Sequence, residues 1–502
     1  MIQEAKKYQA FYTKSIPIVD YMIEKLSLKQ EDRIFEPCGG DGVFVEAILD
    51  RNRNANIDVC ELNDAAFNIL QNKFRQYSAT NIRQSDTLFD SDLMFHSHFG
   101  GIYDKIIANP PYGAWQDYEK RTKLKKIFPD IYAKETYTLF LYRCIDVLKD
   151  GGILSFIIPD TFLNLHMHNT IRKHILTKTK IIELALFPSS FFPGVNFGYA
   201  NLSIITLQKC GNKKECLDNS FNVINGFSNV EQLSNKKSEK LKVLSFLQNE
   251  IYQNPDHAFF IANNSKIIET INNTKLKIGD IAHCVTGFYS GNDKEFLQVI
   301  NPDLKNGKNY ELINVNTISK DYKNNSNILE GIEGDNHFIP IVKGGNTKYL
   351  KPESWFMNWS KEAVKHYKTD KKARFQNPQF YFNFGIGVPM ISSSSITASL
   401  IENKLFDQSI VGVFPKDEKL TYYLLAFFNS PTCNQLIRTI NPSANNPANY
   451  IKKIPFIIPD TVMLEDITNK VGEIITSVKV NGNFDEKIEI QINNFFKSLY
   501  NF

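Results

Sequence analysis

Two consecutive prolines, Pro110 and Pro111, constrain this chain's fold more than any other feature. They follow Tyr103-Asp104-Lys105-Ile106-Ile107-Ala108, which reads as a buried strand. Proline fixes φ and has no N–H for a sheet ladder, so the strand must stop there. Its last carbonyls are left pointing out of the sheet. In an open α/β sheet that edge is where ligands bind. Asn109 stands just before the prolines, and Tyr112-Gly113 just after them.

The surroundings suit such a sheet. Strand patterns at 33–35, 57–61, 105–108 and 153–158 alternate with amphipathic stretches at 44–51, 64–76 and 138–148. The last stretch ends at Lys149-Asp150-Gly151-Gly152, a helix stop followed directly by a strand. We read residues 1–210 as one α/β domain with a mixed, mainly parallel sheet. Residues 211–274 begin rich in Asn, Ser and Lys (Lys213, Lys214, Lys236, Lys237, Lys240, Lys242) with weak periodicity, and read as a connecting segment. Residues 275–502 mix α and β patterns between Asn and Gly turns, which makes them a second, α+β domain. A chain of 502 residues with 42% apolar and 22% charged side chains is a globular protein too long for one core. Its apolar runs are strand-sized and its first residues lack a signal-peptide pattern, so no membrane association is expected. Seven scattered cysteines without a CxxC pair point to reduced thiols in a cytoplasm and to no metal site. A net charge of +4 neither demands nor excludes nucleic acid.

Upstream of the prolines lies a second constellation. Ile34-Phe35-Glu36-Pro37-Cys38-Gly39-Gly40-Asp41-Gly42 reads as strand, glycine-rich turn and helix start. Glycines there let the backbone approach a ligand at a helix N-terminus. Glu61, with Leu62 behind it, ends the next strand about 20 residues on, where a carboxylate accepts ribose hydroxyls. Asp86 follows the short turn Asn81-Ile82-Arg83-Gln84-Ser85 and suits the amine of a purine cofactor. Glu36, Pro37, Cys38, Gly40, Gly42, Glu61, Leu62 and Asp86 are therefore candidate cofactor contacts.

The residue types around the prolines fit one chemistry. A planar amine is a poor nucleophile because its lone pair is delocalised. The Asn109 side-chain oxygen and the Pro110 carbonyl can accept the amine's two hydrogens and favour a pyramidal nitrogen. Tyr112 offers a ring to stack on a base. Catalysis of this kind is positioning and hydrogen bonding, with no covalent intermediate.

In this order the motifs resemble the N6-adenine DNA methyltransferases of the γ arrangement, with closest likeness to the TaqI-like and Eco57I-like enzymes. The resemblance implies a Rossmann-like class I methyltransferase domain followed by a target-recognition domain, with S-adenosylmethionine as cofactor. It implies that Phe11, Tyr12 and Thr13 lie on the cofactor's methionine side. It also implies that Asn109, Pro110, Pro111 and Tyr112 hold the target amine, with Asn109 bordering the cofactor too. Phe192, in Phe192-Pro193, would stack on the far face of a flipped base, a position that Phe191 or Phe197 could also fill. The turn departs from the family's acidic-Pro-x-x-Gly-x-Gly wording at Cys38, where Ala is usual, and at Gly39, where Cys is usual. In the second half, Ile278-Gly279-Asp280-Ile281, Thr286-Gly287-Phe288, Lys343-Gly344-Gly345, Asn358-Trp359 and Asn429-Ser430 resemble segments of specificity domains and of PglX-type phage-defence methyltransferases.

Double-stranded DNA is the expected partner. Lys120, Arg121, Lys123, Lys125 and Lys126 follow the tetrapeptide, where they suit phosphates or simply form a solvated loop. Lys343, Lys371, Lys372 and Arg374 are the candidates in the second half. A cognate restriction endonuclease, or another defence partner, would be a separate chain, since the motifs begin at Phe11 and no nuclease pattern follows. The competing readings are methylation of another planar amine (cytosine N4, RNA adenine or a protein glutamine) and a DNA-binding subunit without activity.

Overall fold

The computed structural model describes residues 15–113, 118–191, 201–233, 241–262, 264–304, 306–392, 395–442 and 444–502. The chain divides into two compact units, Met1–Phe260 and Ile261–Phe502.

The first unit is built on nine strands: β1 (Arg33–Glu36), β2 (Asn56–Glu61), β3 (Thr80–Gln84), β4 (Tyr103–Ala108), β5 (Leu148–Pro159), β6 (Thr179–Phe187), β7 (Leu202–Lys209), β8 (Ser220–Asn225) and β9 (Lys242–Leu247). They lie in the order β3-β2-β1-β4-β5-β7-β6-β8-β9. The first five pair parallel, β7 runs antiparallel to both β5 and β6, β6 and β8 are parallel, and β9 returns antiparallel. The fold is the expected mixed, mainly parallel α/β sheet. Helix α1 (Ile16–Leu26) precedes β1, and between the strands run α2 (Val43–Arg51), α3 (Asp64–Phe74), α4 (Ser91–His98), α5 (Tyr118–Ile127), α6 (Thr136–Val147) and α7 (Asn169–Lys178). Asn63 starts α3 by accepting the Ala66 N–H at 3.0 Å, and Asp90 starts α4 by accepting that of Leu93.

The chain leaves β1 towards β2 and β3 on one side, then crosses back to place β4 on the other. The ends of β1 and β4 thus flank the point where strand order reverses, the place where open α/β sheets bind ligands. Two expectations differ in detail. The strand after α6 begins at Leu148, the last residue of the expected helical stretch, and Lys149–Gly152 bulge out of register between the Tyr103–Leu148 and Lys105–Ile153 pairs. The connecting segment at 211–274 supplies β8 and β9 to the first sheet, and the compact units divide at Phe260 and Ile261.

The second unit is mixed α and β. A four-stranded antiparallel sheet runs β10 (Ala282–Thr286), β18 (Ile410–Pro415), β15 (Phe384–Pro389), β16 (Ser399–Glu402). A five-stranded sheet runs β12 (Glu311–Leu312), β11 (Leu297–Val299), β14 (Trp355–Asn358), β13 (Phe338–Val342), β17 (Leu405–Phe406). Its aromatic core surrounds fully buried Trp359, with Phe288, Tyr367, Phe375 and Tyr381 at 5.5–6.4 Å between ring centroids. The Trp359 indole N–H donates to the Ile328 carbonyl at 2.7 Å, which satisfies the buried donor. Helix α8 (Lys361–Thr369) begins just after it, capped by Ser360. Among the described residues, no helix is long and apolar enough to cross a membrane.

Candidate active site at the sheet's switch point

Glu36 ends β1 with 2% of its surface exposed, and the Val45 N–H in the first turn of α2 donates to its carboxylate. Its other oxygen, Oε2, is buried without a hydrogen-bond partner among the described residues. Burial first, then the charges of Asp41 and Glu61, push its carboxyl well above the usual range. Glu61 is also raised by burial, although amide donors from Asn63, Gly40 and Leu62 pull the other way. The Gly40 N–H donates to Glu61 Oε2 and the Asn63 N–H to Oε1, both at 2.7 Å. A cluster of buried carboxyls held together this way suits a positively charged ligand. Its charge would relieve the cost of ionising them.

The turn is tight. Gly42 has φ +78°, and a Cβ there would stand 2.5 Å from the Phe74 ring and 2.8 Å from Leu70. Leu62 remains 43% exposed beside Glu61, an apolar surface next to a carboxylate. The Thr87 hydroxyl donates to the Pro37 carbonyl at 2.6 Å, which ties the segment carrying Asp86 to the turn. Thr87 escaped the sequence reading, although it directly follows a candidate acid. Asp86 Oδ2 pairs with Lys120 Nζ at 2.9 Å, and Oδ1 accepts the Leu88 N–H. Glu36, Pro37, Cys38, Gly40, Gly42, Glu61, Leu62 and Asp86 are therefore gathered in one neighbourhood.

The tetrapeptide joins them. The Cys38 thiol donates to the Asn109 carbonyl at 3.4 Å. Asn109 is half-buried with its side-chain oxygen shielded from solvent, and Pro110 is buried. Tyr112 differs from the expected open stacking ring. It is 5% exposed, because its edge packs against Tyr137 (centroids 6.5 Å apart) and its hydroxyl donates to the Ile157 carbonyl at 3.3 Å. Behind it lies a polar group the sequence did not reveal. The Tyr137 hydroxyl lies 3.0 Å from Thr161 Oγ1 and 3.3 Å from His168 Nε2. Burial, then the Arg172 charge, brings the His168 imidazole down to about 3. Burial brings Asp160, at the end of β5, up to about 6 and Glu135, before α6, up to about 7. Phe11, Tyr12, Thr13 and Phe192 lie outside the described residues.

The basic candidates sort into engaged and exposed. Lys120 is bound to Asp86, Lys123 pairs with Glu119 at 2.7 Å, and Arg121 is half-buried. Lys125 and Lys126 are exposed. Lys343, expected at DNA, instead lies between Asp293 (2.9 Å) and Asp407 (3.3 Å) with 19% of its side chain exposed. Its charge is engaged by two carboxylates. The Arg374 guanidinium, also expected at DNA, turns back onto the carbonyls of Lys371, Lys372 and Ala373 at 3.0–3.3 Å. Lys371 and Lys372 are exposed.

The chain is similar to several known proteins. Residues 23–192 match the model of the Eco57I restriction-modification methylase family. The chain is 31% identical to the type II methyltransferase M.AccI of Acinetobacter calcoaceticus over 189 residues, which span 36% of this chain and 33% of that relative's length. It is 22% identical to the type II methyltransferase M.HindII of Haemophilus influenzae over 95% of this chain and 96% of the relative. Among solved structures, a chain of the DrdV–DNA complex shares its fold with a TM-score of 0.57, at 14% identity, over 94% of this chain and 57% of that one. The chain is thus similar to type II methyltransferases of restriction–modification systems, and the Eco57I-type methylase match falls on the residues that build the switch-point site.

Proposed function

We propose that the protein is a DNA methyltransferase that transfers a methyl group from S-adenosylmethionine to the N6 amine of an adenine flipped out of the duplex. The observation that carries this reading is the contact between the two constellations. The acidic glycine-rich turn after β1 meets Asn109 through Cys38 at 3.4 Å, at the point where strand order reverses. The buried carboxyls fit the cofactor, since Glu36 has an orphaned oxygen in a cluster that a cationic ligand would relieve. Glu36, Glu61 and Asp86 hold the cofactor, with Phe11, Tyr12 and Thr13 on its methionine side. The cofactor supplies an activated methyl group.

The protein's own part is positioning. Asn109 and the Pro110 carbonyl accept the amine's hydrogens and turn its lone pair towards the methyl donor. Flipping costs a few kcal/mol of stacking, which Phe192 and these hydrogen bonds offset. Tyr112 joins the stack once binding uncovers one face of its ring. The second unit serves as the target-recognition domain, which makes this the γ arrangement, with segments of PglX character. Lys125, Lys126, Lys371 and Lys372 meet phosphates. The setting is a cytoplasmic restriction–modification or phage-defence system, with a restriction endonuclease as a separate chain. To test this, the protein is incubated with labelled cofactor and genomic DNA, which is then digested to nucleosides. Label in N6-methyladenine is expected. Label in N4-methylcytosine overturns the adenine assignment, and none in DNA overturns the whole reading.

A further inference from the structure

We infer that Cys38 is a positioning residue, whose thiol hydrogen bond to the Asn109 carbonyl sets the spacing between the cofactor turn and the tetrapeptide that holds the amine; this rests on the function proposed above. Cys38 is the one of the seven cysteines that is half-buried, and the other six are buried. The others pack in the interior, whereas this thiol lies at the seam between the end of β1 and the end of β4. Its sulfur stands 3.4 Å from the Asn109 carbonyl oxygen, a normal distance for a thiol donor.

The thiol must keep its proton to do this, because a thiolate would repel the carbonyl. Burial, and then the Glu36 and Glu61 carboxyls, push the Cys38 thiol well above its usual value, so the donor persists across the working pH range. An alanine at this place would have no donor. The turn and the tetrapeptide would then be held together only by their strands, and methyl donor and acceptor would sample a wider range of separations. Loss of alignment at this scale lowers the rate of transfer more than it lowers binding.

The test compares Cys38→Ala and Cys38→Ser with the wild type in steady-state methylation. Cys38→Ala is expected to lower kcat about fivefold, the range for one lost hydrogen bond, while KM for cofactor and DNA and the thermal midpoint stay near wild type. Cys38→Ser, with a hydroxyl donor, restores most of kcat. An unchanged kcat in Cys38→Ala, a loss that falls on KM or the midpoint instead, or a Ser variant as slow as the Ala variant would each overturn the inference. If Cys38→Ala fails to fold, Cys38→Val takes its place as the donor-free variant. The S–H stretch in the infrared, assigned by its loss in Cys38→Ser, gives a readout independent of turnover. A hydrogen-bonded frequency is expected, and a free-thiol frequency overturns the inference even if the wild type methylates nothing. Absent transfer by the wild type, in contrast, tells only against the proposed function.

Discussion

At the scale of single residues, the site separates groups that bind from groups that align. Under the proposed function Asn109 is of the second kind. Its carbonyl is held by Cys38, and its side-chain oxygen is shielded from solvent. Asn109→Ala should lower the transfer rate by about 10²–10³, the usual effect of losing one preorganised polar contact to a reacting group. Cofactor affinity, measured by titration, should change little. A variant at full rate would refute the role given to Asn109. Glu135 makes a different prediction, about stability. Burial raises its carboxyl from 4.5 to about 7. The folded state therefore binds a proton that the unfolded state has lost between those values. The stability tied to this group is fully present below pH 4.5 and is lost as pH rises through 7. Glu135→Gln removes the ionisation and should gain on the order of 1 kcal/mol at pH 8. The gain should vanish near pH 4.5. Thermal midpoints at both pH values check this, and an equal gain at both would contradict it.

At the scale of elements, the turn between β1 and α2 is the most demanding piece of backbone. Gly42 takes a positive φ and closes on Phe74 and Leu70 of α3. Gly42→Ala should cost about 1–3 kcal/mol of strain and weaken cofactor binding, because the same turn carries Gly40, whose N–H holds Glu61. A midpoint and a cofactor affinity both at wild-type level would show that the turn relaxes freely. Such elements were legible in the sequence where burial is continuous. β2, β4 and the regular part of β5 read as strands because apolar residues run through them. β3 reads as a turn, since Thr80, Asn81, Arg83 and Gln84 are polar and no residue of the strand is fully buried. β8 and β9 were hidden for a similar reason. Asn, Ser and Lys on their exposed positions mask the inward Phe221, Val223 and Phe246. The glycine turn and the tetrapeptide were legible as candidate sites because each is contiguous. The grouping of Tyr137, Thr161 and His168 behind Tyr112 was not, because it depends on packing between distant elements. The ion pairs of Lys343 were not legible for the same reason: its carboxylate partners lie 50 and 64 residues away along the chain.

At the scale of the whole molecule, the question is whether both units hold one duplex. The net charge of +4 is too small to answer it, so local exposed cations must. The first unit offers Lys125 and Lys126 and the second offers Lys371 and Lys372, all exposed. Lys343 is paired with two aspartates. Each phosphate contact contributes about 0.9 to the slope of log affinity against log salt concentration. Replacing Lys125 and Lys126 with Gln should lower that slope by up to about 1.8, and the Lys371 and Lys372 pair should do the same. If one duplex spans both units, the fourfold variant should lose about the sum of the two. The readout is binding of a duplex containing the methylated site, over a series of salt concentrations, with cofactor product present. A Lys371 and Lys372 variant that leaves the slope untouched would remove these lysines from the DNA contact. A Lys343→Gln variant should lower the thermal midpoint, because it leaves Asp293 and Asp407 buried without their cation. It should leave the slope unchanged, and a fall of about 0.9 would put Lys343 back on the phosphates.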